Sequence, residues 1–189
     1  MKKELAKSLL YIARAAIAGE LGIPVGASPL ASGDVEALLA EPGAVFVTLT
    51  LDGELRGCIG SLRPVRSLGE DCAENAKAAA FSDPRFSPLR GDEFGRIVLQ
   101  ISVLGSALPF ACEGEDDACE RLRPGEDGVI LSYQGHRATF LPQVWEQLPE
   151  PHAFLAALKR KAGLPERFWS PELSLAVYSV DACSEKAAA

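Results

Sequence analysis

Ala44-Val45-Phe46-Val47-Thr48-Leu49-Thr50-Leu51, then Asp52-Gly53, then Glu54-Leu55-Arg56-Gly57-Cys58-Ile59-Gly60, reads as one β-hairpin. The first run is apolar and β-branched, as strands prefer. Asp-Gly between two such runs is a strong signal for a tight two-residue turn. A two-residue loop sets a register in which Leu49 faces Arg56, Val47 faces Cys58 and Val45 faces Gly60. Side chains alternate along a strand, so Arg56 and Cys58 share one face, while Leu55, Gly57 and Ile59 point the other way. Gly57 and Gly60 weaken the returning strand, and glycine inside a strand marks a bulge or a close approach by a ligand or another backbone.

Outward from the hairpin, helices and further strands follow in irregular order. Upstream, Leu5, Leu9, Ile12 and Ala16 recur at helical spacing. A Gly/Pro-rich connection, Gly19 to Gly33, leads to a short helix near Asp34 to Leu39. Downstream, Ser67-Leu68-Gly69-Glu70 has the spacing of a capping box and opens a helix to about Phe81. Pro84 disfavours helix at Asp83 and supplies a sharp turn. That turn is expected to bring Asp83-Pro84-Arg85-Phe86 back against the hairpin. Arg96 to Leu104 is a strand apolar at both parities, so both its faces are expected to be covered.

The segment Glu113 to Asp127 is acidic and reads as a solvated helix and loop. It is also the expected seam between two lobes, near residues 111–128. Val129 to Gln134 and His136 to Leu141 form a second hairpin around Gly135. Pro142 and Pro151 each suit the first position of a short helix, and Gly163 suits a helix end. Leu173 to Val180 is the last expected strand, and Ser184 to Ala189 is the one stretch expected to be disordered. Hairpin-linked strands among helices, without regular βαβ units, indicate an α+β fold.

The bulk properties bound the function. The 189 residues are 48% hydrophobic, enough for a real core in a single domain spanning 1–189. The net charge is −7. That sign disfavours nucleic acid and anionic membranes as partners at long range. The five cysteines are Cys58, Cys72, Cys112, Cys119 and Cys183. Their odd number, without C-x-x-C spacing and with two histidines in the chain, indicates reduced thiols, no disulfide and no metal site. Glu4, Lys7 and Arg14 interrupt the N-terminal apolar stretch, which speaks against a signal peptide and for a cytoplasmic protein. No cofactor-binding motif is present.

The chemistry-bearing residues cluster in and after the hairpin. A guanidinium beside a thiol favours the thiolate, so Arg56 beside Cys58 allows a reactive cysteine. A lone cysteine in a strand is, however, usually a small core hydrophobe. Arg56, Arg63 and Arg66 occur between Leu55 and Gly69 without an acid. With Gly57, Gly60, Ser61 and the helix start at Ser67, they form either an anion site or a solvated basic loop. Asp83 and Arg85 pair locally as a turn, or join this site.

Leu55-Arg56-Gly57-Cys58-Ile59-Gly60 resembles the hallmark hexapeptide of the AMMECR family. Val45-Phe46-Val47-Thr48-Leu49, Ser61-Leu62-Arg63-Pro64, Asp83-Pro84-Arg85-Phe86, Ile101-Ser102-Val103-Leu104, Phe140-Leu141-Pro142-Gln143-Val144-Trp145 and Lys161-Ala162-Gly163-Leu164-Pro165 are similar to the family in the same order. The resemblance covers nearly the whole chain except the acidic stretch around Glu113 to Glu120. It implies two unequal lobes, each an antiparallel sheet with helices, the larger containing both termini. It further implies a setting: prokaryotic members resemble the A component of the AmmeMemoRadiSam system, alongside a Memo-like protein and a radical S-adenosylmethionine protein.

Two functional readings result. In one, the protein is a binding or accessory component that recognises an anionic ligand at Leu55 to Gly60, with Arg56, Gly57, Gly60, Ser61, Arg63, Asp83 and Arg85 as its binding residues. In the other, Cys58 is a nucleophile or redox thiol assisted by Arg56. No complete catalytic set is visible in the sequence, which favours the first.

Overall fold

The computed structural model describes residues 1–27 and 33–186. The chain divides into two compact units, Met1–Leu104 with Asp181–Ala189, and Gly105–Val180. The larger unit holds both ends of the chain, and each unit is an antiparallel sheet with helices, an α+β architecture. The acidic Glu113 to Asp127 stretch lies inside the second unit.

In the larger unit, helix α1 (Lys3–Leu21) ends at Gly22 in the left-handed conformation. Part of the Gly/Pro-rich connection after it, residues 28–32, lies outside the described residues. Helix α2 (Gly33–Ala40) is followed by a two-residue strand β1 (Pro42–Gly43), then β2 (Val45–Leu51), β3 (Glu54–Gly60) and a second short strand β4 (Arg66–Ser67). Helix α3 (Leu68–Phe81) opens with the complete capping box of Ser67 and Glu70. Strand β5 (Ile97–Leu104) completes this half of the unit.

Leu9, Ala13 and Ile17 of α1 and Leu68, Cys72, Ala76 and Ala79 of α3 bury against Val45, Val47 and Leu49 of β2 and Ile97, Leu99 and Ile101 of β5. Both helices therefore cover one face of the sheet. The stripe of α1 centres on Leu9, Ala13 and Ile17, one step round from the expected Leu5-Leu9-Ile12-Ala16.

In the second unit, β6 (Leu108–Phe110), α4 (Glu115–Arg121), β7 (Gly128–Tyr133), β8 (His136–Phe140), a 3₁₀ turn (Pro142–Glu146), α5 (Pro151–Lys161) and β9 (Ser174–Tyr178) build a sheet of order β6-β9-β7-β8. Its core includes Val129, Leu131, Leu155 and Leu158. Trp145 and Phe154 stack there with ring centroids 3.7 Å apart.

The C-terminal stretch differs from expectation. Strand β10 (Val180–Ser184) adds to the first sheet, whose order is β10-β5-β2-β3. Cys183 thus lies within a strand. The Glu185 carboxylate accepts from the Leu99 amide at 2.9 Å and pairs with Arg14, which also donates to the Phe94 and Ile97 carbonyls. A half-buried arginine needing acceptors orders this part of the tail; residues 187–189 lie outside the described residues.

Candidate functional site

The hairpin forms, with one irregularity that reorders the site. Near the turn the expected register holds, Leu51 opposite Glu54 and Thr50 opposite Leu55. Beyond it Leu49 pairs with Gly57, Thr48 with Cys58, Val47 with Ile59 and Phe46 with Gly60. Arg56 is the extra residue of a β-bulge. The expected pairs Leu49–Arg56, Val47–Cys58 and Val45–Gly60 are therefore displaced by one. A bulge re-aims the side chain it carries.

The bulge sets which side each residue faces. Gly57 shares the helix-covered face with Leu49. A Cβ at Gly57 would sit 2.1 Å from the Ala79 carbonyl oxygen of α3. Helix and strand backbones meet there, and a side chain cannot enter. Cys58 shares the opposite face with Thr48, and Gly60 lies under the Phe46 ring, whose Cγ is 2.2 Å from where a Cβ would be. Leu55, paired with Thr50, joins the Cys58 face instead of that of Gly57.

Arg56 is fully engaged by the segment after α3. Its Nε and Nη2 donate to the two Glu93 carboxylate oxygens at 2.9 and 3.0 Å. Nη1 donates to the Ser87 carbonyl at 2.8 Å, and Nη2 to that of Pro88 at 3.3 Å. Bidentate pairing of this kind fixes position as well as charge. It holds the Glu93 carboxyl below its ordinary range. Among the described residues no hydrogen bond or ion pair joins Arg56 to Cys58.

The turn after α3 returns to the hairpin as expected. The Cys58 amide donates to Asp83 at 2.9 Å, and Arg85 Nη2 donates to the Cys58 carbonyl at 3.3 Å. Arg85 also grips Asp83 through Nε at 2.9 Å and Nη2 at 2.6 Å. The Arg85 hydrogen bonds, with those from the Cys58 and Arg85 amides, hold the buried Asp83 carboxyl well below its usual range despite desolvation. The same pair raises the Arg85 guanidinium further. Two side chains thus satisfy backbone groups that an edge strand otherwise leaves open.

The Cys58 thiol is half-buried and accepts a hydrogen bond from Thr48 Oγ1 at 3.3 Å. Burial pushes the other thiols up, Cys72 to about 12 and Cys119 to about 11. All five cysteines are free.

Ser61 turns into a second polar cluster that the sequence reading missed. Its hydroxyl donates to Asp71 Oδ1 at 2.7 Å. Asp71 is 0% exposed and also accepts from the Val45 amide, Asn75 Nδ2 and Arg66 Nε. The available signal was spacing: Asp71 and Asn75 lie four apart, beside the buried Cys72 and Ala76. Two of the three arginines Arg56, Arg63 and Arg66 are therefore neutralised by the fold, Arg56 by Glu93 and Arg66 by Asp71. Arg63 is exposed and has no ion-pair partner among the described residues.

The structure thus joins Arg56, Gly57, Cys58, Gly60, Asp83 and Arg85 along one strand edge. It turns Ser61 inward and leaves Arg63 in solvent. Among the described residues, no group of three or more His, Cys, Asp or Glu is placed to hold a metal ion, and no helix is long and apolar enough to cross a membrane.

The crystal structure of the uncharacterized protein PH0010 from Pyrococcus horikoshii superimposes with a TM-score of 0.86, covering 99% of this chain and 94% of that one at 29% identity. A protein of Methanothermobacter thermautotrophicus is 35% identical over 175 residues, which is 91% of this chain and 90% of that protein. Protein SSO0193 of Saccharolobus solfataricus is 35% identical over 89% of this chain and 76% of its own length. The AMMECR1 family model matches residues 10–183, the hexapeptide and Asp83–Arg85 clamp included, and the chain belongs to the AMMECR1 family.

Proposed function

We propose that the protein is a binding or accessory component, acting with a Memo-like protein and a radical S-adenosylmethionine protein through an anion-recognising edge at Leu55 to Gly60. The observation that carries this reading is how the polar groups around Cys58 are used. Arg56 is committed to Glu93 and two carbonyls, and Asp83 to Arg85 and the Cys58 amide. A cysteine nucleophile needs a base or a cation on its sulfur. Thr48 Oγ1 supplies neither, and the guanidinium that does reach Cys58 electrostatically, that of Arg85, is paired with Asp83.

What remains for a ligand is the outward side of Arg85, whose side chain is 53% exposed, and the exposed Arg63. Binding is tested by calorimetry with the purified Memo-like and radical S-adenosylmethionine proteins. Wild type and Cys58→Ala are expected to bind alike, and Arg85→Ala more weakly. Absence of binding to both proteins overturns the accessory role. Fast native alkylation of Cys58 near neutral pH, with Cys58→Ala abolishing an activity, would favour the cysteine-enzyme reading instead.

A further inference from the structure

The outer side of β3 carries two backbone groups that the clamp leaves unused. β3 is the last strand of its sheet. The Ser61 amide donates inward to the Val45 carbonyl at 3.0 Å. The alternation of an antiparallel ladder then turns the backbone groups of Cys58 and Gly60 outward. Those of Cys58 are taken by Asp83 and Arg85. The Gly60 amide and carbonyl have no hydrogen-bond partner among the described residues. Arg85 Nη1 also has none among them, while its Nε and Nη2 are held.

Resting on the binding role above, we propose that this edge captures the C-terminal carboxylate of an extended peptide lying antiparallel to β3, its last residue opposite Gly60. In such a pair the peptide N–H donates to the Gly60 carbonyl, and one carboxylate oxygen accepts from the Gly60 amide. The other oxygen then faces Arg85, which sits at the neighbouring Cys58 carbonyl. A guanidinium and a backbone amide together suit a carboxylate.

Chain direction selects a terminus over an internal segment. A peptide antiparallel to β3 runs from Gly60 toward Cys58, and the place opposite Cys58 is filled by the Asp83–Arg85 pair. The chain has to end there. The Gly60 carbonyl selects against a bare anion: it requires a donor beside the acceptor, which a peptide terminus has and phosphate or acetate lacks. The exposed Arg63, further along the chain, adds positive charge to an otherwise acidic protein.

The test is titration of ¹⁵N-labelled protein with N-acetyl-alanyl-alanine, its C-terminal amide and acetate, following the Gly60 amide and the Arg85 side-chain signals. The free acid is expected to shift both saturably. The amide and acetate are each expected to bind at least about tenfold more weakly, as is the free acid to Arg85→Ala, the loss of a charge-assisted hydrogen bond. Because the wild-type comparison of acid with amide needs no variant, a misfolded Arg85→Ala leaves the test intact. An unmoved Gly60 amide, or an amide that binds as well as the acid, overturns the proposal. So does acetate binding as tightly as the dipeptide, which would leave a carboxylate site without strand pairing. A Gly60 response without association with the Memo-like or radical S-adenosylmethionine protein removes the accessory role alone. Association with a silent Gly60 removes this proposal alone.

Discussion

The Cys58 amide donates to the Asp83 carboxylate at 2.9 Å, although 25 residues separate them in sequence. The contact gives the hexapeptide a fixed outer edge, and it is a part-buried hydrogen bond to a carboxylate, with a pH signature.

Asp83→Asn removes the charge that Arg85 and the Cys58 amide share, at an expected cost of about 1–3 kcal/mol. In the unfolded chain an aspartate titrates near about 3.9. The folded value is lower. The contribution is therefore complete above that unfolded value and is lost as pH falls below it toward the folded one. Urea unfolding across acidic buffers should show a steeper acid loss for wild type than for Asp83→Asn. Parallel curves would remove the clamp as a source of stability.

Arg56→Lys keeps the charge but not the fork, and is expected to cost about 1–3 kcal/mol through lost bonds to Glu93, Ser87 and Pro88. If Arg56 is a scaffold residue, the folded variant should alkylate at Cys58 as wild type does. A change in that rate with stability unaltered would point to Arg56 acting on the thiol.

Gly57→Ala should be worse than Gly60→Ala. At Gly57 the added methyl meets the Ala79 backbone, so α3 has to move; at Gly60 it meets the Phe46 ring, which can swing aside. An overpacking cost of about 1–3 kcal/mol is expected for Gly57→Ala, and less for Gly60→Ala. Thermal melts of the two variants give the order directly.

Cys72 and Cys119 should resist iodoacetamide in the folded state, because burial lifts their thiols to about 12 and about 11. The sign for stability is the reverse of that for Asp83. An unfolded thiol ionises near about 8.5 and the buried one does not, so unfolding gains above that pH by about 1.36 kcal/mol per pH unit for each thiol until its folded value is reached. Mass spectrometry should find these two cysteines labelled only once denaturant is present.

Removing residues 185–189 should lower the melting temperature, since Glu185 accepts from Arg14 and from the Leu99 amide. Glu185→Gln should retain part of the loss-free stability, as a neutral acceptor still meets the Leu99 amide. A truncation that melts like the full chain would show this anchor to be energetically idle.

The hairpin, the capped helix α3, the break before Pro84 and the α+β class were legible in the sequence, because each rests on neighbours a few residues apart: Asp52-Gly53, Ser67 with Glu70, Pro84 after Asp83. The sequence by itself also marked Gly57 as a place for a bulge or a close approach; that it is the Ala79 backbone that closes on it is tertiary. Only the tertiary structure decided the bulge at Arg56. The ordinary two-residue turn predicts an unbroken register, and it is Glu93 and the Ser87 and Pro88 carbonyls that give Arg56 a reason to leave it. The same holds for charge. Arg56 stands two residues from Glu54, yet the fold pairs it with Glu93, 37 residues on. Desolvated charges require partners, and partners are found by packing in three dimensions, whatever their distance along the chain.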